Sequence, residues 1–340
     1  MLIYADSGVV VEYNGKRIAL DPSKEAAATD LIFVSHAHTD HMHRPVASRA
    51  RVVASMETLR IAEARGFRYP NATHEPDPGV QMLNSGHVLG SRALLIDDKI
   101  LYTGDICTRD RAFLKGARLP RCDILIIEST YGRRGYRFPS VGDVVHRVNT
   151  LISEMYSKGL PVILMGYPLG KAQIITSLFR HWEPLYIHES VARINSIYRE
   201  LGVELGDDHA VVYSSHSDDG RDDDGYGYGY GGLKHGPWLM VAPKQSNDST
   251  FVRMMKRRYN AVTIAFTGWA LAPWHTRLHD YTIPLSDHCD FDELVQVVNA
   301  CRPNKVYTFH GFADEFASHL RGMGYDAEAI GSNKRILDYI

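Results

Sequence analysis

The sequence predicts an α/β protein whose first domain is interrupted by a second, smaller α/β domain. Short apolar strands that end in polar residues dominate residues 1–160 and return in residues 276–340. Between them, residues 161–275 alternate strand-like and helix-like segments, which is typical of a mostly parallel sheet. We therefore expect a discontinuous first domain and an inserted second domain at 161–275.

The first strands are marked by a hairpin signal. Val9–Tyr13 and Arg17–Leu20 flank Asn14-Gly15, a dipeptide that favours the positive φ angles of a two-residue turn. The apolar residues Ile32–Val34 then predict a buried strand. A strand in this position can aim the residues that follow it into a cleft.

A histidine-rich motif of the form H-x-H-x-D-H follows that strand directly. It supplies four candidate metal ligands, His36, His38, Asp40 and His41. Imidazole and carboxylate are ligands that zinc and similar divalent metals accept. Four of them within six residues favour a metal site over a polar turn with chance histidines.

Other predicted strands also end in residues that bind metal or move protons. These residues are His87 after Val80–Leu83, Asp105 after the Ala93–Ile96 and Lys99–Tyr102 hairpin, Glu128 after Ile124–Ile127, and His310 after Lys305–Phe309. Rigid strands position loop residues well, so functional sites often lie at strand ends. The recurrence predicts that these side chains meet the histidine motif.

Six short strings follow that motif in order: GHVLGS, TGD, ESTYG, LGKAQ, SDHCDF and HG. Together they resemble the β-CASP family of metallo-β-lactamase-fold nucleases along nearly the whole chain. The resemblance is strongest to ligase-associated DNA exonucleases and to archaeal exonucleases similar to mRNA 3′-end processing factors. It implies a metallo-β-lactamase αββα sandwich with an inserted β-CASP-like domain.

The resemblance also implies two divalent metal ions, zinc or alternatively manganese. His36, His38 and His87 would hold one ion, Asp40, His41 and His310 the other, and Asp105 would bridge both. A hydroxide between the ions would attack phosphorus.

The candidate catalytic residues are Asp40, Glu128 and His288. His288 suits contact with a phosphate oxygen or protonation of the leaving oxygen. Glu128 suits an acceptor that orients a histidine. Structural hydrogen bonds at strand ends are the alternative for both residues.

Candidate substrate-binding residues lie in several parts of the chain. Gly166–Ala172 resembles a phosphate-binding P-loop, but it is one residue short and has Ala172 where magnesium binding needs Ser or Thr, so an NTPase is not expected. Gly170 and Lys171 could still contact a phosphate, or form a tight turn with a solvated lysine. Arg133 and Arg134, with Arg137, are candidate phosphate contacts, with solvated surface charge as the alternative. A predicted helix carries a second candidate cluster, Arg253, Lys256, Arg257 and Arg258, for which a phosphate contact and a solvated surface are given equal weight. Tyr131, Tyr136 and Trp269 are candidates for base stacking.

Composition limits the function classes. The 340 residues carry a net charge of −2, so a nucleic-acid partner must be met by local cations. Four cysteines without a C-x-x-C pair, no apolar run of about 18 residues and no signal-peptide pattern predict a cytoplasmic protein with free thiols and no membrane partner. Residues 217–232 are rich in Asp, Gly and Tyr and predict a flexible surface loop, with a calcium or regulatory site as the alternative.

The resulting hypothesis is a two-metal phosphodiesterase that cleaves single-stranded DNA or RNA, as an exonuclease in DNA repair or RNA processing. One alternative is a hydrolase of small thioesters or esters, and another is a non-catalytic RNA-processing subunit. The resemblance admits a homodimer. Cleavage polarity and the choice between DNA and RNA are not determined by these motifs.

Overall fold

A computed structural model of the protein describes residues 1–24, 28–43, 50–214, 232–234, 236–272 and 279–331. The chain forms two compact units. The first contains Met1–Asp110, Leu114–Arg137 and Asp287–Ile340, and the second contains Arg111–Phe113 and Phe138–Ser286. The first unit is therefore built from separate parts of the chain.

The first unit contains two six-stranded sheets. One sheet has its strands in chain order, β1 (Leu2–Ala5), β2 (Val9–Tyr13), β3 (Lys16–Leu20), β4 (Leu31–Phe33), β5 (Arg51–Val53) and β6 (Ala72–Thr73). The other has the order β18 (Asp326–Ala329), β17 (Lys305–Phe309), β10 (Ile124–Glu128), β9 (Ile100–Tyr102), β8 (Arg92–Ile96) and β7 (Val80–Asn84). The predicted β2–β3 hairpin is present, with Asn14 at φ 50° and Gly15 at φ 73°.

Alternation along the strands gives this unit two hydrophobic layers. Phe33 and Leu20 of the first sheet pack with Leu94 and Ile126 of the second, which forms a core between the sheets. The intervening residues, such as Leu95, face the opposite way. Because side chains alternate across a strand, one sheet can bury both of its faces.

The outer face of the second sheet is covered by two helices, α6 (Phe291–Cys301) and α7 (Ala313–Gly322). Leu294 and Phe316 pack there against strand residues such as Leu95. The side chain of Asp290 caps α6 by accepting from Glu293 N, while Glu293 bonds back to Asp290 N. A third helix, α1 (Met56–Ala64), begins at Ser55, whose hydroxyl accepts from Thr58 N.

The second unit is built on a six-stranded parallel sheet. Its order is β13 (Val211–Tyr213), β12 (Leu185–His188), β14 (Leu239–Pro243), β11 (Val162–Gly166), β15 (Val262–Phe266) and β16 (Tyr281–Ile283). Its helices are α2 (Val141–Ser157), α3 (Lys171–Phe179), α4 (Glu189–Glu200) and α5 (Thr250–Tyr259). Val252 and Met255 of α5 pack on one face of the sheet against Ile163 and Met240.

The predicted α/β fold with several sheets is confirmed. The main segment of the second unit runs from Phe138 to Ser286, whereas the sequence suggested the boundaries 161 and 275. The domain assignment itself stays a prediction. The predicted loop at 217–232 lies outside the described residues except for Gly232. Among the described residues, no helix is long and apolar enough to cross a bilayer.

Candidate metal centre

The carboxyl ends of four strands meet at one edge of the second sheet of the first unit. β9, β10 and β17 are mutually parallel, and β7 runs in the same direction because it and β9 are both antiparallel to β8. Glu128 is the last residue of β10, and His87, Asp105 and His310 lie shortly after the ends of β7, β9 and β17. The His36–His41 motif follows β4 of the other sheet, and the structure brings it to the same place.

The first group of side chains contains three histidines and Asp105. His36 Nε2 lies 3.0 Å from His38 Nδ1, and His87 Nε2 lies 3.1 Å from the same nitrogen. His36 Nε2 and His87 Nε2 each lie 3.4 Å from Asp105 Oδ2. Around an ion bound tetrahedrally at about 2.1 Å, neighbouring ligand atoms lie about 3.4 Å apart. The spacing of this group therefore fits one divalent ion.

The second group meets the first at Asp105. His41 Nε2 lies 3.4 Å from Asp105 Oδ2 and 3.6 Å from Asp40 Oδ2. His310 Nδ1 lies 3.9 Å from the other oxygen, Asp105 Oδ1. Among the described residues no hydrogen-bond donor reaches this buried Oδ1. The Asp105 carboxylate faces both groups, and its Oδ1 receives no hydrogen bond from the described residues. A site for two cations accounts for this better than a purely structural role does.

The ring nitrogens that face away from the centre are held by the protein. His36 Nδ1 lies 2.9 Å from Ser35 Oγ, and His87 Nδ1 lies 2.9 Å from the carbonyl oxygen of Asp287. Such contacts fix which nitrogen is free to bind a metal and how the ring is oriented. The centre is therefore held in place before any ion binds.

Asp21 is a buried part of this support that the sequence did not reveal. Its carboxylate accepts from His41 Nδ1 at 2.9 Å, from Tyr102 Oη at 2.9 Å and from the backbone N of Ser35 at 2.6 Å. The Asp21-Pro22 pair suggested only a turn. The available signal was its position, because Asp21 follows β3 in the way that other site residues follow their strands.

Glu128 and His288 form a pair beside Asp105. His288 Nδ1 lies 2.8 Å from Glu128 Oε1, and His288 Nε2 lies 4.0 Å from Asp105 Oδ2. Glu128 also accepts from Ile106 N at 3.1 Å and from Thr130 N at 2.9 Å, so its carboxylate is fixed. The structure thus gives Glu128 the contact with a histidine that the sequence suggested.

Burial and charge act in opposite directions on this pair. Burial alone would lower the pKa of His288, but the carboxylates of Glu128 and Asp105 raise it to about 9. Burial likewise opposes ionisation of Glu128, while His288 and the hydrogen bonds lower its pKa to about 2. The pair is therefore an imidazolium and a carboxylate in the metal-free protein at neutral pH.

Glycines allow the loops to approach closely at two points. Gly104 precedes Asp105 with φ 54°, and a Cβ there would lie 2.7 Å from Ser35 Cβ. Gly311 follows His310 with φ 53°, and a Cβ there would collide with the backbone of Ser129 and Thr130. Only glycine fits these positions without displacing a loop that carries candidate ligands.

The predicted arginine contacts are engaged within the first unit. Arg133 pairs with Glu315 and its guanidinium lies 4.0 Å above the Phe312 ring. Arg134 Nη2 lies 3.2 Å from His319 Nδ1, and Arg137 Nε lies 2.7 Å from Asp292 Oδ2. Exposed ion pairs contribute little free energy, so a phosphate can displace the partners of these arginines. The positions of the three arginines do not by themselves favour phosphate binding.

The aromatic candidates for base stacking are wrongly placed for it. Tyr131, Tyr136 and Trp269 are all buried, and the two tyrosine rings contact each other with centroids 5.1 Å apart. A buried ring offers no face to a base. The sequence did not reveal this because tyrosine and tryptophan are common both in cores and at interfaces.

Gly170 and Lys171 lie in the second unit, at the start of α3. Gly170 adopts φ 88°, and Lys171 is 3% exposed, so the alternative of a solvated lysine is wrong. Two amides at the start of the helix already have acceptors, because Gly170 N donates to Gln173 Oε1 and Ala172 N donates to Tyr167 O.

Comparisons with known proteins agree with this geometry. Residues 3–150 match the β-lactamase superfamily domain. The chain is 31% identical to a "Probable DNA ligase" of Opitutus terrae over 321 residues, which cover 89% of this chain and 29% of that protein. It is 26% identical to "Probable RNase MJ4" of Methanocaldococcus jannaschii over 214 residues, which cover 49% of this chain and 50% of that protein.

A eukaryotic relative matches a shorter region. "Cleavage and polyadenylation specificity factor subunit 3" of Dictyostelium discoideum is 33% identical over 144 residues, or 37% of this chain and 18% of that protein. The matches thus span at most about half the length of these three relatives.

The two sheets, the histidine motif and the matched domain together define a protein of the metallo-β-lactamase superfamily. Within that superfamily the chain belongs to the β-CASP family, as its motifs indicated. This fold implies the use of a divalent metal, and the two side-chain groups at Asp105 provide suitable ligands.

Proposed function

We propose that the protein is a metal-dependent phosphodiesterase that hydrolyses single-stranded nucleic acid as an exonuclease. The observation that carries this proposal is the meeting of two His/Asp groups at Asp105, with the His288–Glu128 pair beside them. A centre for a single ion does not need both groups.

Each group has a role in the proposed reaction. His36, His38 and His87 would hold one ion, Asp40, His41 and His310 would hold the other, and Asp105 would supply a carboxylate oxygen to each group. Two divalent ions bound there, zinc or manganese, would acidify a water molecule and neutralise charge on a phosphate. Asp40 is 57% exposed, which leaves the centre open on its side.

His288 is suited to act on the substrate itself. It carries a proton in the metal-free protein, and Glu128 directs its Nε2 towards Asp105. Hydrolysis adds water to phosphorus and breaks a P–O bond, and the departing oxygen requires a proton. We assign His288 to supplying that proton or binding a phosphate oxygen, and Glu128 to positioning His288.

The names of the relatives support a nucleic-acid substrate. They include an RNase and a cleavage and polyadenylation factor, and one relative is named as a DNA ligase. These names do not choose between DNA and RNA. A hydrolase of small thioesters does not account for the His288–Glu128 pair or for the parallel-sheet unit.

The test measures cleavage of single-stranded DNA and RNA oligonucleotides, each labelled at either end, during titration with zinc or manganese. We expect metal-dependent release of mononucleotides from one end. Asp105→Asn should remove cleavage. Asp98→Asn is the matched control, because Asp98 is exposed in the β8–β9 turn and its side chain contacts only Gln81 among the hydrogen bonds described.

Three results would contradict the proposal in whole or in part. Turnover of thioester or β-lactam substrates without oligonucleotide cleavage would favour a small-molecule hydrolase. Less than one bound divalent ion per chain after metal loading, with no cleavage, would favour a non-catalytic subunit. Internal fragments in place of mononucleotides would keep the phosphodiesterase and reject the exonuclease.

A further inference from the structure

In the parallel sheet of the second unit, the connections that leave β11 and β14 run in opposite directions across the sheet. These strands are neighbours, with Gly166 opposite Pro243. The chain leaves β11 through α3 towards β12, and it leaves β14 through α5 towards β15, on the opposite side. In open α/β sheets, ligands bind in the crevice outside the carboxyl ends of strands at such a switch point.

Two lysines meet at this switch point. Lys244 directly follows β14, and its backbone N donates to Gly166 O at 2.8 Å. Lys171 begins α3, and its stem crosses the end of β11, since a Cβ on Gly166 would lie 3.1 Å from Lys171 Cγ. Gly166 therefore accepts a hydrogen bond from the backbone of Lys244 and leaves room for the side chain of Lys171.

The two ammonium groups affect each other. Burial, and then the charge of Lys171, lower the pKa of Lys244 to about 8. The Lys244 Nζ lies 5.3 Å from the centroid of the Tyr167 ring, which is 38% exposed. Lys171 is buried and Lys244 is half-buried. Like charges near each other repel, and an anion bound beside both lysines would be attracted by both.

The first turn of α3, which carries Lys171, is held by side-chain hydrogen bonds. Gln173 Nε2 donates to Asn195 Oδ1 at 2.9 Å, and Asn195 Nδ2 donates to Asp207 Oδ2 at 2.8 Å. Asp207 also pairs with Arg199 at 2.5 Å. Because this network fixes α3 against α4, the position of Lys171 is set without a ligand.

We propose that Lys171 and Lys244, with Tyr167 beside them, form a phosphate-binding subsite at the switch point of the second unit. The site consists of residues of that unit alone. Its ligand is a phosphate group, and it takes that group from the bound nucleic-acid strand. The source of the phosphate rests on the proposed function, whereas the subsite does not.

The first arm of the test measures binding of a labelled single-stranded oligonucleotide at several salt concentrations. Each lost phosphate contact should reduce the slope of log affinity against log salt by about 0.7. Because both lysines contact the same phosphate, we expect the full loss of about 0.7 in the double variant and a smaller loss in each of Lys171→Met and Lys244→Met. At fixed salt each single variant should bind about fivefold more weakly.

The second arm measures the binding of inorganic tripolyphosphate by calorimetry. The full-length wild-type protein should bind it, and the double variant should not. Lys158→Met is the matched control, since it removes the same charge from an exposed lysine that pairs with Glu154. Thermal unfolding checks that each variant folds. Should Lys171→Met fail to fold, Lys244→Met carries the test, with Lys244→Arg expected to restore binding.

The outcomes separate the subsite from the proposed function. Unchanged binding of both probes in the folded variants overturns the subsite. Lysine-dependent tripolyphosphate binding with an unchanged oligonucleotide slope supports the subsite and rejects a strand as its source. Lysine-dependent tripolyphosphate binding in a wild-type protein that neither binds nor cleaves oligonucleotides supports the subsite and overturns the proposed function.

Discussion

His41 directs its Nδ1 to a carboxylate oxygen of Asp21 at 2.9 Å, and this contact turns its Nε2 towards Asp105. Burial alone would lower the pKa of His41, but Asp105, Asp40 and Asp21 raise it to about 10. The Nδ1 proton therefore has a fixed acceptor. Asp21 also holds the backbone N of Ser35, next to His36, so one buried carboxylate orients both ends of the motif.

The first prediction concerns this carboxylate. Asp21→Asn should weaken metal binding about 10- to 100-fold, the usual cost of losing a contact that orients a ligand. Competition with a zinc chelator measures the affinity. Asp6→Asn is the control, because Asp6 is exposed and pairs with Arg17. Wild-type affinity in a folded Asp21→Asn protein would contradict the role given to Asp21.

The second prediction concerns His288. His288→Ala should lower kcat for oligonucleotide cleavage about 10²- to 10⁴-fold, the range for loss of a general acid. Its bound metal should stay unchanged, because the two ligand groups do not need this side chain. Metal analysis and kinetics on the same sample check both points. Loss of metal together with activity would instead make His288 part of the metal site.

The third prediction concerns Glu128 as a positioning residue. Glu128→Gln should lower kcat less than His288→Ala does and leave KM nearly unchanged. In the double variant, Glu128→Gln should add no further loss, because it acts through His288. Steady-state kinetics of the wild type, the two single variants and the double variant provides a double-mutant cycle. Independent, additive losses would show that Glu128 acts on the reaction by another route.

The fourth prediction concerns the backbone after His310. Gly311→Ala should lower the free energy of unfolding by about 1–3 kcal/mol, because it forces an unfavourable φ and a collision with Thr130. It should also weaken metal binding by displacing His310. Gly322→Ala is the matched control, since a Cβ there meets nothing within 4 Å. Denaturant unfolding with and without zinc compares the two, and equal stability of both variants would contradict the argument.

The fifth prediction concerns pH and the second unit. Burial alone would raise the pKa of Asp280, but hydrogen bonds from Lys256 and Thr263 lower it below its ordinary value. Its stabilising effect is therefore present above the ordinary carboxyl pKa and is lost as the pH falls through the lowered value.

At pH 7, Asp280→Asn should lower the free energy of unfolding by about 1 kcal/mol, since the group is partly exposed and screened. The difference from wild type should shrink below about pH 4. Asp208→Asn at an exposed position is the control. Denaturant unfolding at pH 7 and below about pH 4 measures the difference in unfolding free energy between the variant and wild type. A difference that grows on acidification would contradict the stabilising role of the ionised Asp280.

The sequence predicted those parts of the protein that depend on local pattern. Asn14-Gly15 fixed a turn, and polar residues after apolar strands marked His87, Asp105, Glu128 and His310. Residues that matter only through tertiary contact were missed. Asp21 belongs to Asp21-Pro22, a pair common in turns. In the sequence Lys244 is a single lysine after a strand, and only the order of the strands in the sheet brings it near Lys171.

The pairing of β10 with β17 has a consequence for how the protein is made. Ser129, after β10, bonds to the carbonyl of Phe309, which is 180 positions later in the chain. A growing polypeptide would carry His36, His87 and Asp105 long before His288 and His310 leave the ribosome. The proposed metal centre could therefore be completed only after His310 has been synthesised and β17 has paired with β10.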